Sequence, residues 1–194
     1  RNMASELTVQ TLRGPTSGTN TDTVLIPSGQ TLHAPGHVIQ VVNAEKLDTA
    51  STNSQLPSWV DSGLSCTITP KFNNSKIIVT VDAALGVSVA VYTYFRVVRN
   101  VGGGSYSMIS EAATPGSRNA IHGMAYDADN EGQVILQTFN HLDNPATTSA
   151  VTYKVQFSVS GAAYAYIGQS NRDNNGAVYD PRASSRIVLQ EIAQ

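Results

Sequence analysis

Acidic side chains cluster in one short segment of the chain. Asp127, Asp129 and Glu131 lie within five residues, and Asp143 follows nearby. Two carboxyl groups can cleave a glycosidic bond, one acting as the acid and the other as the base or nucleophile. A cluster of this kind can also hold calcium, but the spacing matches no twelve-residue calcium loop. We expect a solvated loop here, and a glycan-active hydrolase stays an alternative.

The histidines and the single cysteine show no arrangement typical of a metal centre or a nucleophile. His33 and His37 are four positions apart, but a proline and a glycine between them exclude the helix that would align the two rings. His122 and His141 accompany no Gly-x-Ser-x-Gly sequence. Cys66 lies in a strand pattern, where we expect a buried thiol. We therefore predict no catalytic residue, no metal, no cofactor and no enzymatic activity; a metal on a symmetry axis would leave no signal here.

Tyrosines and polar side chains favour a binding role. A tyrosine packs its ring against a partner and keeps a hydroxyl for a hydrogen bond, which suits subunit interfaces and the faces of sugars. Seven tyrosines lie in predicted strands or beside loops: Tyr92, Tyr94, Tyr106, Tyr126, Tyr164, Tyr166 and Tyr179. The polar segment 169–181 is predicted to be a loop of the type that contacts glycans. Its candidate ligand-binding residues are Asn171, Arg172, Asp173, Asn174, Tyr179 and Asp180.

The hydrophobic pattern that must position these residues has the period of a β-strand, and no segment has a helical pattern. Residues 84–98 give the strongest signal, long enough for two strands or one bent strand, because β-branched and aromatic residues favour a pleated surface. Residues 59–69 and 76–82 are predicted to pair as a hairpin, and 45–57 to form a loop. The other predicted strands are 38–42, 105–111, 120–126, 133–141, 151–159, 163–167 and 185–192.

The N-terminal region differs in composition from the rest of the chain. It is rich in glycine, proline, serine and threonine, and only residues 23–26 suggest a short strand. We expect residues 1–36 to form an extended arm or stalk that depends on a partner. Residues 37–194 are expected to form an all-β head, an antiparallel β-sandwich or jelly roll. The Met-Ala-Ser at residues 3–5 is typical of a natural start, so we expect a nearly complete short protein.

Composition argues against two classes of partner. The 194 residues carry a net charge of −2, and only 13% are charged, against about 25% in an average globular protein. No run of lysine or arginine is present, so we expect no nucleic-acid binding. No stretch approaches the roughly 18 apolar residues of a membrane span, so we expect no membrane insertion. Low surface charge suits a rigid β protein in a dense assembly.

Four segments carry a resemblance to a known family. They are GHVIQVV at residues 36–42, GL at 63–64 with ITPK at 68–71 and SKIIV at 75–79, YFRVVR at 94–99, and IVLQEI at 187–192. Together they resemble the β-rich domain of tail fibres and other virion appendage proteins of tailed phages, especially phages of marine bacteria and cyanobacteria. Residues 3–12 are similar to the start of short virion proteins from the same group. Residues 112–144 match no part of that family.

The resemblance implies a homotrimeric appendage of the virion, assembled in the host cytoplasm, with a slender N-terminal part and a C-terminal β head. Its implied partners are its own copies, other virion proteins and a glycan of the host surface. The expected function is that of a tail-fibre or receptor-binding head that adheres through several weak sites at once. A capsid decoration or head-fibre protein, docked through its N-terminal arm, stays an alternative.

Overall fold

The computed structural model describes residues 10–19, 21, 23–88, 90–128 and 132–194. The chain divides after His33 into two units, Arg1–His33 and Ala34–Gln194. The described residues of the first unit form no helix or strand, so the short strand expected at 23–26 is wrong. The separate arm over 1–36 stays a prediction. No helix in the described part of the chain is long and apolar enough to cross a membrane.

The described residues of the second unit form strands and turns, without a helix. The strands are β1 Val38–Lys46, β2 Ala50–Thr52, β3 Val60–Ile68, β4 Lys76–Val87, β5 Val91–Val101, β6 Ser107–Met108, β7 Gly123–Asp127, β8 Val134–Asp143, β9 Val151–Val159, β10 Ala165–Ile167 and β11 Ser185–Ile192. The polar segment between β10 and β11 is a loop, as predicted.

The first sheet has six strands in the order β1-β11-β4-β10-β2, and β8 also pairs with β4. All these pairs are antiparallel. The register places Asp82 of β4 opposite Arg186 of β11 and Thr138 of β8. β4 therefore lies in the middle of the sheet, with β8 along one side and β11 followed by β10 along the other.

The second sheet has five strands in the order β3-β9-β5-β6, and β7 also pairs with β5. These pairs are antiparallel as well. β5 pairs with β9 along one side and with β7 and then β6 along the other. Because β5 is central, its outward side chains have neighbours on both sides across the sheet.

The hydrophobic core lies between the two sheets and follows the alternation seen in the sequence. Val79 and Val81 of β4, Phe95 and Val97 of β5, and Phe157 of β9 are fully buried. Successive side chains of a strand point to opposite faces, so the residues between them face outward. The prediction of an all-β antiparallel sandwich is confirmed.

The predicted hairpin of residues 59–69 with 76–82 is wrong. β3 pairs with β9 in one sheet, whereas β4 pairs with β11, β8 and β10 in the other. The segment between them is attached to β11: the buried Glu191 accepts hydrogen bonds from the backbone N–H of Lys71 at 2.7 Å and of Phe72 at 3.4 Å. This carboxylate therefore fixes the connection at the point where the chain crosses from one sheet to the other.

Two other strand assignments also need correction. β2 forms inside the predicted loop 45–57, because tertiary pairing with β10 supplies the backbone partners that its short polar sequence does not suggest. The run 84–98 is two strands, but β4 continues through residue 83 to Val87, and the break falls before β5. Ala90 has a positive φ of 58°, and its N–H donates to the Asp127 carbonyl at 2.8 Å, which turns the chain into the other sheet.

Candidate binding surface

The outward face of the second sheet carries a group of tyrosine rings. Tyr92 and Tyr94 share this face because they are two residues apart in β5, and β7 places Tyr126 opposite Tyr92. The ring centroid of Tyr92 is 6.0 Å from that of Tyr94 and 4.6 Å from that of Tyr126. Tyr92 and Tyr126 are 37% and 44% exposed. These three residues, the tyrosine cluster, form an open aromatic surface.

A polar row continues the same face along β5. The Arg96 guanidinium lies over the Trp59 ring, with Cζ 4.5 Å from the ring centroid, and its Nε donates to Gln156 Oε1 at 2.9 Å. Gln156 Nε2 donates to Asp61 Oδ1 at 2.7 Å, and Lys154 Nζ donates to Asp61 Oδ2 at 2.5 Å. Arg96, Gln156, Asp61 and Lys154, the polar row, thus span three neighbouring strands.

The charges of the polar row are fixed by their neighbours. Burial lowers the pKa of Arg96, although Glu111 and Asp61 oppose this shift. Burial acts to raise the pKa of Asp61, but hydrogen bonds from Lys154 and Gln156 outweigh it and the pKa is lowered. Lys154 Nζ also lies 3.6 Å from the centroid of the Tyr106 ring. Each cation is held between an aromatic ring and an oxygen acceptor, so little side-chain freedom remains to be lost on binding.

A small depression lies at the end of the polar row. Asp61, Gly63, Leu64, Ser65 and Lys154 line it, and its volume is about 80 Å³. Gly63 has a positive φ of 87°, and the register of β3 against β9 shifts between Asp61 and Ser65, so a backbone irregularity forms the depression. The volume is far below the roughly 300–1,000 Å³ of small-molecule pockets. It is large enough for a water molecule or a single hydroxyl group.

The tyrosine cluster and the polar row, together the binding surface, suit a ligand with a flat apolar side and hydroxyl groups at its edges. The exposed rings can pack against the C–H face of a sugar ring. The guanidinium, ammonium, amide and carboxylate groups beside them can hydrogen-bond its hydroxyls, and bonds to charged groups are the stronger kind. The arrangement is one of recognition across an open face.

The structure brings together the charged residues of the predicted binding loop, but it pairs them with each other. Arg172 donates to Asp180 Oδ1 from Nε at 2.9 Å and from Nη2 at 2.6 Å. The Asp180 side chain is fully buried, and its Oδ2 accepts from the Asn174 N–H at 3.3 Å. Asp173 forms a two-bond ion pair with Arg182, at 2.9 and 2.7 Å. These four groups stabilise the loop conformation.

Two residues of the same loop remain to be placed. Asn171 Oδ1 accepts from the Tyr166 hydroxyl at 2.5 Å, which ties the start of the loop to β10. The Tyr179 ring is exposed, and the Arg172 Cζ lies 5.1 Å from its centroid. The aromatic face of Tyr179 is therefore the part of the loop best placed to contact a ligand. Ligand binding by this loop stays a prediction.

The carboxylate cluster is only partly described. Asp127 ends β7 and is buried, whereas Asp129 and Glu131 lie outside the described residues. Asp143 is buried, and Arg99 and Tyr153 bind its oxygens. Hydrolysis by this cluster stays an untested alternative.

The cysteine and two of the histidines, Cys66, His122 and His141, lie where a structural residue would. Cys66 is buried, as expected, and burial raises the pKa of its thiol. The His122 ring bonds to backbone groups of two neighbouring segments, and the His141 ring lies 6.1 Å from that of Phe139. Within the described ranges, no group of three histidine, cysteine or acidic side chains is placed to hold a metal ion.

Sequence reasoning identified the tyrosines but missed most of the polar row. The spacing of Tyr92, Tyr94 and Arg96 in one strand is a signal that these three share a face. No comparable signal exists for Asp61 and Gln156, which are 95 positions apart. Their meeting depends on the pairing of β3 with β9, which the sequence did not indicate.

No family model matches the sequence, and no curated protein does either. Among solved structures, the chain is similar to one titled "Crystal structure of infectious bursal disease virus VP2 subviral particle", with a TM-score of 0.41 and 12% sequence identity. The match covers 93% of this chain and 45% of that one, so this chain spans less than half the length of the protein it matches.

Proposed function

We propose that this protein is a virion appendage protein whose head adheres to a carbohydrate surface through the outward face of its second sheet. The observation that carries the proposal is the exposed tyrosine cluster next to a polar row already held in place by hydrogen bonds. A sugar ring needs both features, an apolar plane for its C–H face and fixed polar groups for its hydroxyls. The resemblance to tail-fibre proteins supports the virion part of the proposal.

An open face of this kind favours weak individual contacts. It buries less of a ligand than a deep pocket, so affinity per copy is low. Adhesion then depends on several copies that bind at once, and avidity exceeds the affinity of each site by roughly 10²–10⁴. The homotrimer that the resemblance implies would supply this multivalency, and it is part of the proposal.

The test removes the tyrosine cluster. We expect Tyr92→Ala with Tyr126→Ala to weaken binding to a printed array of bacterial surface polysaccharides by about tenfold or more, because each aromatic stacking contact contributes roughly 0.5–1.5 kcal/mol beyond its area. The measurement is the half-saturating concentration on each spot that the wild-type protein binds.

Tyr164→Ala is the matched control, because Tyr164 is 49% exposed and its ring stacks on that of Tyr166 in β10, with 6.2 Å between the ring centroids. The tyrosine cluster, by contrast, lies on β5 and β7. The control should bind like the wild type. Tyr179→Ala tests the predicted loop in the same assay. If the double variant binds as well as the wild type, or if only Tyr179→Ala loses binding, the surface assignment is wrong.

A further inference from the structure

β8 presents a long open edge of the first sheet. This ten-residue strand pairs with β4 over its whole length, from Val134 to Asp143. In the part of the chain that the structure describes, no backbone hydrogen bond from any segment other than β4 reaches it. In an antiparallel pair, alternate residues turn their N–H and C=O groups away from the partner strand. β8 therefore offers a row of backbone donors and acceptors to a further strand.

β8 lacks the features that usually protect such an edge. Natural edge strands carry lysine, proline or a β-bulge, or are very short. The sequence VILQTFNHLD contains no lysine, arginine, proline or glycine, and its register with β4 is continuous. Its single charged side chain, Asp143, is already paired with Arg99 at 2.7 Å. A second strand would therefore meet neither a proline nor a bulge in β8, and no unpaired charge on its side chains.

The order of side chains in β8 is self-complementary about Phe139. Reading outward in both directions, a polar residue comes first, then a second polar residue, then a leucine. In an antiparallel pair centred on Phe139, Leu136 of one copy lies opposite Leu142 of the other, and this contact occurs twice. The two leucines are 58% and 51% exposed in the single chain, so pairing would cover the large apolar side chains that the strand leaves open.

We propose that two copies of this chain join by antiparallel pairing of β8 with β8, centred on Phe139. The result is one continuous sheet twice as wide as the six-stranded sheet of the single chain. Backbone hydrogen bonds and two leucine pairs stabilise the contact. Electrostatics permits it, because the facing strands carry no cation and their carboxylates are bound within each copy.

This contact is independent of the proposed adhesion, because the tyrosine cluster and the polar row belong to the second sheet. It is two-fold, since an edge that pairs with itself relates two copies by a rotation of half a turn. Its products are dimers, or hexamers where the implied trimer also forms. A trimer alone does not contain the two-fold pairing of β8 with β8.

The first test is light scattering of the full chain over a series of concentrations. The wild type should show a dimer, or a hexamer, that dissociates on dilution. Leu136→Lys with Leu142→Lys should weaken the two-fold contact by at least about tenfold, because lysines then lie directly opposite one another at the edge. Val41→Lys is the matched control, since Val41 is 54% exposed on β1, an edge strand of the same sheet.

Three light-scattering results would refute the pairing: a wild-type mass of a monomer or a trimer at every concentration, a double variant that dimerises as well as the wild type, or a control that loses the contact equally. Circular dichroism checks that each variant is folded.

Disulfide cross-linking tests the register without changing an apolar residue. Thr138 and Asn140 are both exposed, and the proposed register places Thr138 of one copy opposite Asn140 of the other. A mixture of Thr138→Cys and Asn140→Cys proteins should form a cross-linked pair under mild oxidation, because opposed side chains in a sheet are close enough for a disulfide. Each variant alone should cross-link much less. Cross-linking that is equal in all three samples, or absent from all, would show that β8 does not pair in this way.

Discussion

The His122 side chain takes the place of a strand neighbour along β5. The Val97 N–H donates to His122 Nδ1 at 2.9 Å, and His122 Nε2 bonds to the Ile109 carbonyl at 2.8 Å. Because Nδ1 accepts, the proton of the neutral ring lies on Nε2, which donates. The ring stacks on Phe139 with 4.0 Å between centroids. The imidazole thus fills the gap between β7 and β6 beside the central strand.

Acid should destabilise the fold through His122. Burial lowers the pKa of His122, to which His141 and Arg96 contribute, while hydrogen bonds to Ile109 and Ser110 oppose the shift. Between the lowered pKa of the folded state and the ordinary value of about 6.5, the unfolded chain then binds more protons than the folded one, so the free energy of unfolding falls as the pH drops through that window. A proton on Nδ1 would also point at the Val97 N–H, which is itself a donor, so this hydrogen bond would be lost.

Urea denaturation at about pH 7.5 and about pH 5.5, on either side of the usual histidine pKa, measures this effect. His122→Gln should lower stability at the higher pH by about 1–3 kcal/mol, through loss of buried hydrogen bonds, and should lose less stability on acidification than the wild type. The other histidines are unchanged in this variant and provide the background. Equal acid sensitivity in the two proteins would contradict the assignment.

At the scale of the elements, a buried polar cluster links the two sheets. Asp143 of β8 accepts from Arg99 Nη1 of β5, 2.7 Å from each carboxylate oxygen, and from the Tyr153 hydroxyl of β9 at 2.7 Å. β8 belongs to the first sheet, whereas β5 and β9 belong to the second. Burial, with the bond to Asp143, strongly raises the pKa of Tyr153, so the phenol stays protonated and donates.

Among substitutions in this cluster, the loss in the free energy of unfolding should be larger when a charge is left unpaired. Tyr153→Phe removes one hydrogen bond while Arg99 still neutralises Asp143, and we expect a loss of about 1–2 kcal/mol in the free energy of unfolding. Asp143→Asn leaves the largely covered guanidinium without its carboxylate, and we expect about 2–4 kcal/mol. Urea midpoints with unchanged m-values check the ranking. The opposite order would mean that the ion pair is not what links the sheets.

At the scale of the whole molecule, the core that the described residues form lies in the second unit. Among the residues that the structure describes, the buried apolar side chains lie between Leu64 and Ala193. The large apolar side chains in the described part of the first unit, by contrast, are exposed: Leu12, Val24, Leu25, Ile26 and Leu32. The core that the described residues form therefore lies within residues 34–194.

A chain shortened to begin at Ala34 should fold like the full chain. We expect its melting temperature to change by no more than a few degrees, because none of the buried core side chains that the structure describes is removed. Light scattering on both proteins then tests the predicted assembly role of the arm. A three-fold oligomer that is lost with residues 1–33 would make those residues the assembly element. A shortened chain that fails to melt cooperatively would show that the head depends on them.

The sequence by itself determined the fold class and the alternation of side chains between the two faces of a strand such as β5. In β5, the residues Thr93, Phe95 and Val97 are buried and Tyr92 and Tyr94 face outward, as their alternation indicates. This succeeds because alternation is a local property: successive side chains point to opposite faces whatever the neighbouring strand is.

Only the tertiary structure decided which strands pair and therefore which polar groups meet. The backbone groups of a strand can bond to any other strand, so the pairing of β3 with β9 instead of β4 depends on distant contacts such as that of Glu191 with residues 71–72. The polar row is assembled by that pairing, from residues as far apart as Asp61 and Gln156. A local sequence pattern does not indicate such contacts, because they form only when the two sheets pack over a shared core.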